Sequence, residues 1–133
     1  MKLEKRVYNP KTLGEPMGPF SRAVRIGDHL YISGTSALTH QKGPLRDRPI
    51  APDVETQTRQ TLENLRSVLE DAGGTLADIY KVTVYIKRRE DLDKVLKIRA
   101  EYIPPTHVSA ASITELVRED MLIEIAAEAY LGR

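Results

Sequence analysis

The chain has 133 residues, the size of one domain, and its 20 Lys and Arg against 19 Asp and Glu give a formal charge of +1. This balance gives no global field that favours nucleic acid, an anionic membrane or acidic substrates. The sequence has no cysteine, which excludes a disulfide framework, a thiolate nucleophile and a Cys-ligated zinc. It also shows no signal-peptide core or membrane-length apolar run. We therefore expect a single domain over residues 1–133, located in the cytoplasm and without a membrane partner.

The first predicted elements are two short strands. Apolar and polar residues partly alternate in "FSRAVRIGDHLYISGT", which predicts strands at about residues 21–26 and 29–33. Gly27 and Asp28 between them suit a two-residue hairpin turn. The following "SALTHQKGPLRDRPIAP" is rich in Gly, Pro and charge without a period, which predicts a long loop of the kind that often carries binding sites.

A helix is predicted from Asp53 onwards. Its apolar residues fall largely at spacings of three and four, and Thr58 and Thr61 continue the same stripe. Gly73 and Gly74 then supply a C-terminal stop.

The segment "IYKVTVYI", residues 79–86, is rich in β-branched and aromatic residues, which predicts a central strand. One face of this strand should carry Tyr80, Val82, Val84 and Ile86. A second helix is predicted in "DLDKVLKIRAEYI", whose apolar side is cut short by Pro104 and Pro105. The next stretch, "PPTHVSAASI", predicts a further strand.

The tail "MLIEIAAEAYL" alternates with a period of two, which predicts a strand rather than the alternative of an Ala-rich helix. One face carries Met121, Ile123, Ile125, Ala127 and Ala129, and the other Leu122, Glu124, Ala126, Glu128 and Tyr130. The order of strand, strand, helix, strand, helix, strand, strand predicts an α+β domain with two helices on one face of a mixed sheet. The second face is half apolar, so we expect other subunits to bury it.

Three segments together resemble the Rid family, also called RidA/YjgF or L-PSP endoribonuclease-like proteins. They are "PMGPFSRAVRIGDHLYISGT", "QTRQTLENLRSVLEDAGGTLADIYKVTVYI" and "LVREDMLIEIAAEA", and they follow the family's order and spacing from about residue 9 to 130. The resemblance implies a six-stranded sheet of the trimeric chorismate-mutase type. It also implies a homotrimer with a small-molecule cleft at each subunit boundary.

The resemblance further implies hydrolysis of enamines or imines such as 2-aminoacrylate to a 2-oxo acid and ammonia. In the family, a glycine carbonyl near an "SG" pair and a glutamate of the last strand orient the water. These positions correspond to Gly34, which follows Ser33, and to Glu124. A structural ion pair across the trimer is the alternative role for Glu124. The pocket aromatic, often tyrosine, corresponds to Phe20, and a helix residue that is often asparagine corresponds to Leu96.

The family's carboxylate-binding arginine has no counterpart in this sequence. Counting back from Leu116 puts Val108 at the position, whereas using the prolines as the anchor puts His107 there. We prefer Val108, because a shift by one residue would reverse which side chains face inwards. Loss of this clamp would cost about 2–3 kcal/mol, or about a hundredfold in binding of a small acid. We therefore expect poor activity on 2-aminoacrylate.

Two interpretations are possible for each of the other charged features. Arg22 and Arg25 flank the pocket strand and are candidates for the missing positive charge, although such residues are more often solvated edge guards. The basic run in "KRRED" is short and more typical of a solvated turn than of an RNA contact. Three scattered histidines are a poor metal site, so neither a metal nor another cofactor is expected.

These observations give three hypotheses. The first is a Rid-family homotrimer that binds a small metabolite and hydrolyses an enamine or imine without the usual carboxylate. The second is a non-catalytic ligand sensor or protein-binding trimer on the same scaffold. The third, ranked last, is RNA cleavage or translation inhibition, because nucleic acid is not an expected partner.

Overall fold

Six strands and two helices make up the protein in the computed structural model, which describes residues 4–132. The strands are β1 Lys5–Tyr8, β2 Ala23–Ile26, β3 His29–Thr35, β4 Ile79–Ile86, β5 Val108–Ile113 and β6 Ile123–Tyr130. The helices are α1 Val54–Asp71 and α2 Leu92–Tyr102. The strands form one sheet in the order β1-β2-β3-β6-β4-β5. The predicted α+β fold, with a mixed sheet and two helices, is confirmed.

The connections explain this strand order. Gly27, with φ of 59°, supplies the left-handed residue of the tight turn that pairs β2 with β3. β4 and β5 form a parallel pair, because α2 carries the chain back across the sheet between them. β6 then enters between β3 and β4 and runs antiparallel to both.

α1 begins and ends as its sequence predicts. The Asp53 carboxylate accepts a hydrogen bond from the Thr56 amide at 2.9 Å, and Gly73 adopts φ of 84° beyond the helix. Thr58 and Thr61 are fully buried, and their hydroxyls donate to main-chain carbonyls one turn earlier. Within residues 4–132, no helix has both the length and the apolar character needed to cross a membrane.

The core lies between the helices and one face of the sheet. β6 shows the predicted alternation, since Ile123, Ile125, Ala127 and Ala129 are buried in this core. Glu124, Ala126, Glu128 and Tyr130 point to the opposite side, which we call the open face. The candidate site lies on the open face.

The structure differs from the sequence-based expectations in three elements. β1 was not expected, because its residues are mostly exposed and show no clear alternation. The face predicted for Tyr80 is wrong: the β4–β6 register shifts at this point, and the Tyr80 hydroxyl donates to Glu128 on the open face. The face predicted for Leu122 is also wrong, because this residue precedes β6 and packs in the core.

Candidate functional site

A small cavity of about 180 Å³ lies on the open face, near the ends of β3 and β6. The sheet provides one wall, the segment that precedes β2 provides the second, and the loop between β3 and α1 provides the third. The residues that line it are Met17, Phe20, Arg22, Gly34, Ser36, Leu38, Thr39, Leu45, Arg48, Val117, Met121 and Glu124. A cavity of this size holds several water molecules or one small metabolite.

A β-bulge shapes the sheet wall of this cavity. The register between β3 and β6 shifts between Ile32 and Thr35, so Ser33 and Gly34 together oppose Ala126 alone. A Cβ atom added at Gly34 would lie 2.6 Å from the Oε2 atom of Glu124. Glycine is therefore the residue that allows the Glu124 carboxylate to lie directly against the main chain of β3.

Burial determines the protonation behaviour of Glu124. The side chain projects from the start of β6 into the cavity and is half-buried. Loss of hydration disfavours the carboxylate, which raises the pKa of Glu124 above its ordinary value. Within residues 4–132, Glu124 forms no ion pair that would offset this effect. A glutamate of this kind holds its proton closer to neutral pH, where it can act as both acid and base.

The mouth of the cavity is apolar. Met17, Phe20 and Val117 are 54%, 46% and 60% exposed, although large apolar side chains are usually covered. The Phe20 ring therefore forms part of an exposed rim rather than of the core. Such a rim fits the entrance of a ligand site or a surface that another subunit covers.

Two buried arginines stand on the loop side of the cavity. Arg22 donates through Nη2 to the main-chain oxygens of Gly14 and Glu15, at 2.9 and 3.0 Å. Arg48 donates to the main-chain oxygens of Gly43 and Leu38, at 3.0 and 3.1 Å. Burial lowers the pKa of both, and the charge of Arg48 adds a smaller effect on the pKa of Arg22. Both remain cationic at neutral pH.

Arg25 is less deeply buried than Arg22. It lies near the surface on the hairpin and pairs with Asp28 at 3.0 Å, as expected of an edge residue. Of the two arginines that flank the pocket strand, Arg22 alone lines the cavity.

Known proteins share this fold. A family model described as endoribonuclease L-PSP matches residues 11–131. The chain belongs to the Rid family. A RutC family protein from Pyrococcus horikoshii is 35% identical over 95% of this chain and 98% of that protein. A second RutC family protein, from Saccharolobus solfataricus, is 34% identical over 84% of this chain and 86% of its own length.

Solved structures of Rid proteins have the same architecture. The crystal structure of a Rid-family protein of unknown function from Yersinia pestis superposes with a TM-score of 0.83. It is 29% identical, and the match covers 96% of this chain and 99% of that one. The chorismate-mutase-like fold expected from the resemblance is therefore confirmed for this Rid protein.

Three of the seven predicted site residues meet in the cavity of this Rid protein, namely Phe20, Gly34 and Glu124. Ser33 is adjacent but does not line it. The Ser33 hydroxyl donates to the main-chain oxygen of Ser21 at 2.7 Å, and so ties β3 to the start of β2. Leu96 is half-buried on α2 and is not among the lining residues either.

His107 and Val108 lie far from the cavity within one chain. Val108 is the first residue of β5, four positions before Ser112, and Ser112 lies level with Tyr85 and thus with Glu124. Four residues of strand separate them by about 13 Å along the sheet. The side chain of Val108 is 65% exposed, and the ring of His107 contacts the Pro104 carbonyl. A second subunit would be needed to bring either residue to a cavity.

Three residues of the cavity were not predicted from the sequence, namely Arg48, Met17 and Val117. All three come from irregular segments, where no periodicity indicates which side chains converge. The length and composition of the loop after β3 indicated a binding segment, but not the residue within it. Within residues 4–132, no group of three or more His, Asp or Glu side chains is arranged to hold a metal ion.

Proposed function

We propose that this Rid protein hydrolyses a small enamine or imine to a carbonyl compound and ammonia in the cavity beside Glu124. The observation that carries the proposal is the close approach of the Glu124 carboxyl group to Gly34 at the β3 bulge. It provides a titratable group and a main-chain segment on one wall of a small cavity. Family membership supports the same reaction class.

The reaction needs a group that can both donate and accept protons beside the reacting carbon and nitrogen atoms. An enamine first takes a proton at its terminal carbon and becomes an imine. Water then adds to the imine carbon, forming a C–O bond, while the nitrogen receives a proton. The amino nitrogen then takes up one more proton and leaves as ammonia when the C–N bond breaks, while the hydroxyl oxygen loses its proton to form the carbonyl. Glu124 serves as the acid and base, and burial raises its pKa towards the pH at which it would do so.

We also propose that the working form is a homotrimer with one ligand cleft at each subunit boundary. The exposed rim of Met17, Phe20 and Val117 supports this, because another subunit would cover it. The six residues of β5 are all exposed, and an uncovered edge strand is normally protected in proteins. A neighbouring subunit would bring its own β5, with Val108, to the cavity.

Hydrolysis can be measured by generating imines in solution with an amino-acid oxidase or an amine oxidase and following their disappearance. Glu124→Gln should lower kcat by about a hundredfold or more, since it removes the acid and base but keeps the shape of the side chain. Wild-type turnover by this variant, or no turnover of any imine by the wild-type protein, would contradict the proposal.

Gly34→Ala tests the same proposal by displacing the Glu124 carboxylate instead of replacing it. The new methyl group would displace the Glu124 carboxylate, which begins 2.6 Å away, but it meets only the flexible end of a side chain. We expect kcat to fall by about a hundredfold, as for other misplaced catalytic groups, with little change in melting temperature. Unchanged kcat would show that the position of the Glu124 carboxylate does not matter.

The second candidate is a ligand sensor or protein-binding trimer without turnover. The exposed apolar rim favours it, since such a rim also fits a partner surface. Ligands that raise the melting temperature, together with a panel of imines that are not hydrolysed, would support this alternative. RNA cleavage that survives stringent purification and disappears in an Arg88→Ala, Arg89→Ala variant would support the third hypothesis.

A further inference from the structure

A groove of about 570 Å³ adjoins the cavity. Two irregular segments form it, namely residues 15–17 before β2 and part of residues 42–48 in the loop between β3 and α1. Met17, Leu45 and Arg48 line both the cavity and the groove, so the two spaces border each other along these residues. A ligand that fills the cavity can therefore extend into the groove.

The basic side chains of the groove bind the main chain of the protein itself. The Nζ atom of Lys42 donates to the carbonyl oxygen of Lys11 at 3.3 Å. The guanidinium of Arg48 donates to the carbonyl oxygens of Gly43 and Leu38, at 3.0 and 3.1 Å. Much of the hydrogen-bonding capacity of the groove is thus already used, which leaves little of it for a polar ligand.

Apolar side chains provide the remaining surface of the groove. Pro16, Met17, Pro44 and Leu45 all line it, and Met17 is more than half exposed. Contact with an apolar group would remove this surface from water, which is favourable. The groove also carries charges of both signs, because Glu15 lies in it together with the two basic residues. Acidic and basic ligand groups would each meet a like charge there, so the groove favours a neutral one.

We propose that the groove binds a long apolar side chain of the substrate, and that Met17 determines the preference for chain length. The inference rests on the proposed function and names its substrate class, an imine or enamine whose side chain is several carbons long. The reacting carbon lies in the cavity beside Glu124, and the side chain extends past Met17 and Leu45 into the groove. Methionine suits this position, because its flexible, unbranched side chain adapts to apolar groups of different shape.

Binding of carbonyl products tests this proposal without any turnover. Pyruvate, 2-oxobutanoate, 2-oxopentanoate and 2-oxohexanoate have the same acid and carbonyl groups, and each is one methylene longer than the one before. Calorimetry or NMR titration of the wild-type protein should show a gain of about twofold to threefold for each partly buried methylene, and thus at least about tenfold from pyruvate to 2-oxohexanoate. Equal affinities, or no binding of any member at millimolar concentration, would overturn the proposal. A gain with chain length in a protein that hydrolyses no imine would refute the proposed function and leave the apolar groove site standing.

Met17→Asn and Val117→Asn form a matched pair of variants. Both residues are exposed apolar side chains at the mouth of the cavity, but Met17 also lines the groove, whereas Val117 does not. The measured quantity is the ratio of the affinity for 2-oxohexanoate to the affinity for pyruvate. We expect this ratio to fall by about threefold or more in the Met17 variant and to keep its wild-type value in the Val117 variant. An equal fall in both variants, or no fall in either, would overturn the assignment of the groove.

The wild-type protein offers the same comparison if the asparagine variants do not fold. Met121 lines the cavity but not the groove, and it is buried. In NMR titrations, the methyl signal of Met17 should shift more with 2-oxohexanoate than with pyruvate, whereas the methyl signal of Met121 should respond to both acids alike. Identical responses of Met17 to the two acids would show that the chain does not enter the groove.

Discussion

At the scale of single residues, the charged Glu124 carboxylate carries a free-energy cost for folding, because the folded protein removes it partly from water. The side chain is half-buried beside Gly34, and burial raises its pKa. The folded protein therefore binds this proton more tightly than the unfolded chain does. Stability consequently falls as pH rises from the ordinary glutamate pKa through the raised one, and the cost is fully present above that range.

Glu124→Gln should remove this cost. We expect the variant to melt at a higher temperature than the wild type at a pH of about 8, where Glu124 is charged. The difference should shrink towards zero at a pH of about 4, where the wild-type side chain is protonated. Thermal unfolding at the two pH values measures it.

Glu128→Gln is the control for this measurement. Glu128 lies on the same face of β6, but it accepts a hydrogen bond from Tyr80 and pairs with Lys81. Its replacement should give no such gain at high pH. A Glu124 variant that is less stable than the wild type at high pH would contradict the electrostatic explanation.

The sequence predicted single site residues only where a segment of the family pattern identified them. Phe20, Gly34 and Glu124 lie in or next to the segments that resemble the Rid family, and they meet in the cavity. Arg48 was not predicted, because its role depends on how an irregular loop folds over the sheet. The exposed character suggested for Arg22 also differs from the observed burial, since its partners are main-chain oxygens distant from it in sequence.

At the scale of elements, Gln57 joins α1 to the two segments beside it. Its amide nitrogen donates to the carbonyls of Ala51 and Asp120, at 2.8 and 3.0 Å. Its amide oxygen accepts from the Leu122 amide at 2.8 Å. One buried side chain thus satisfies three main-chain groups, and it fixes the chain just before β6 and Glu124.

Gln57→Leu should destabilise the protein by about 3 kcal/mol, because the apolar side chain leaves three main-chain groups without partners. Urea unfolding measures the change, and the denaturant slope should stay constant if the two end states are unaltered. Gln60→Leu is the comparison on the same helix. Gln60 is partly exposed, and within residues 4–132 its side chain donates to Asn64 alone, so its replacement should cost less than half as much. Equal costs would mean that the three main-chain hydrogen bonds are not the cause.

Elements with strong periodicity were predictable, and elements shaped by pairing were not. β4 coincides with the predicted residues 79–86, and α1 begins one residue after its predicted start at Asp53. β1 lacks such a pattern, since it gains its hydrogen bonds from β2 and leaves its side chains largely exposed. The face of Tyr80 depends on a register shift with β6, which a single strand's sequence does not encode.

At the scale of the whole molecule, the helices cover only one side of the sheet. The open face presents Ala126 between Thr83 and the bulge of β3, and Tyr130, 48% exposed, stands near its end. β5 forms an edge with every residue exposed. Both features fit the proposed trimer, in which subunits would cover the open face and bring new groups to each cavity.

Ala126→Arg tests the proposed trimer at the middle of the open face. A large cation there is tolerable on a solvated sheet face but costly when a second subunit buries it. We expect the wild type to sediment as a trimer at micromolar concentration and the variant to sediment as a monomer. Ala100→Arg, on the exposed side of α2, is the matched control and should remain trimeric. A wild-type monomer, or a trimer that survives the Ala126 substitution, would show that the open face is not the interface.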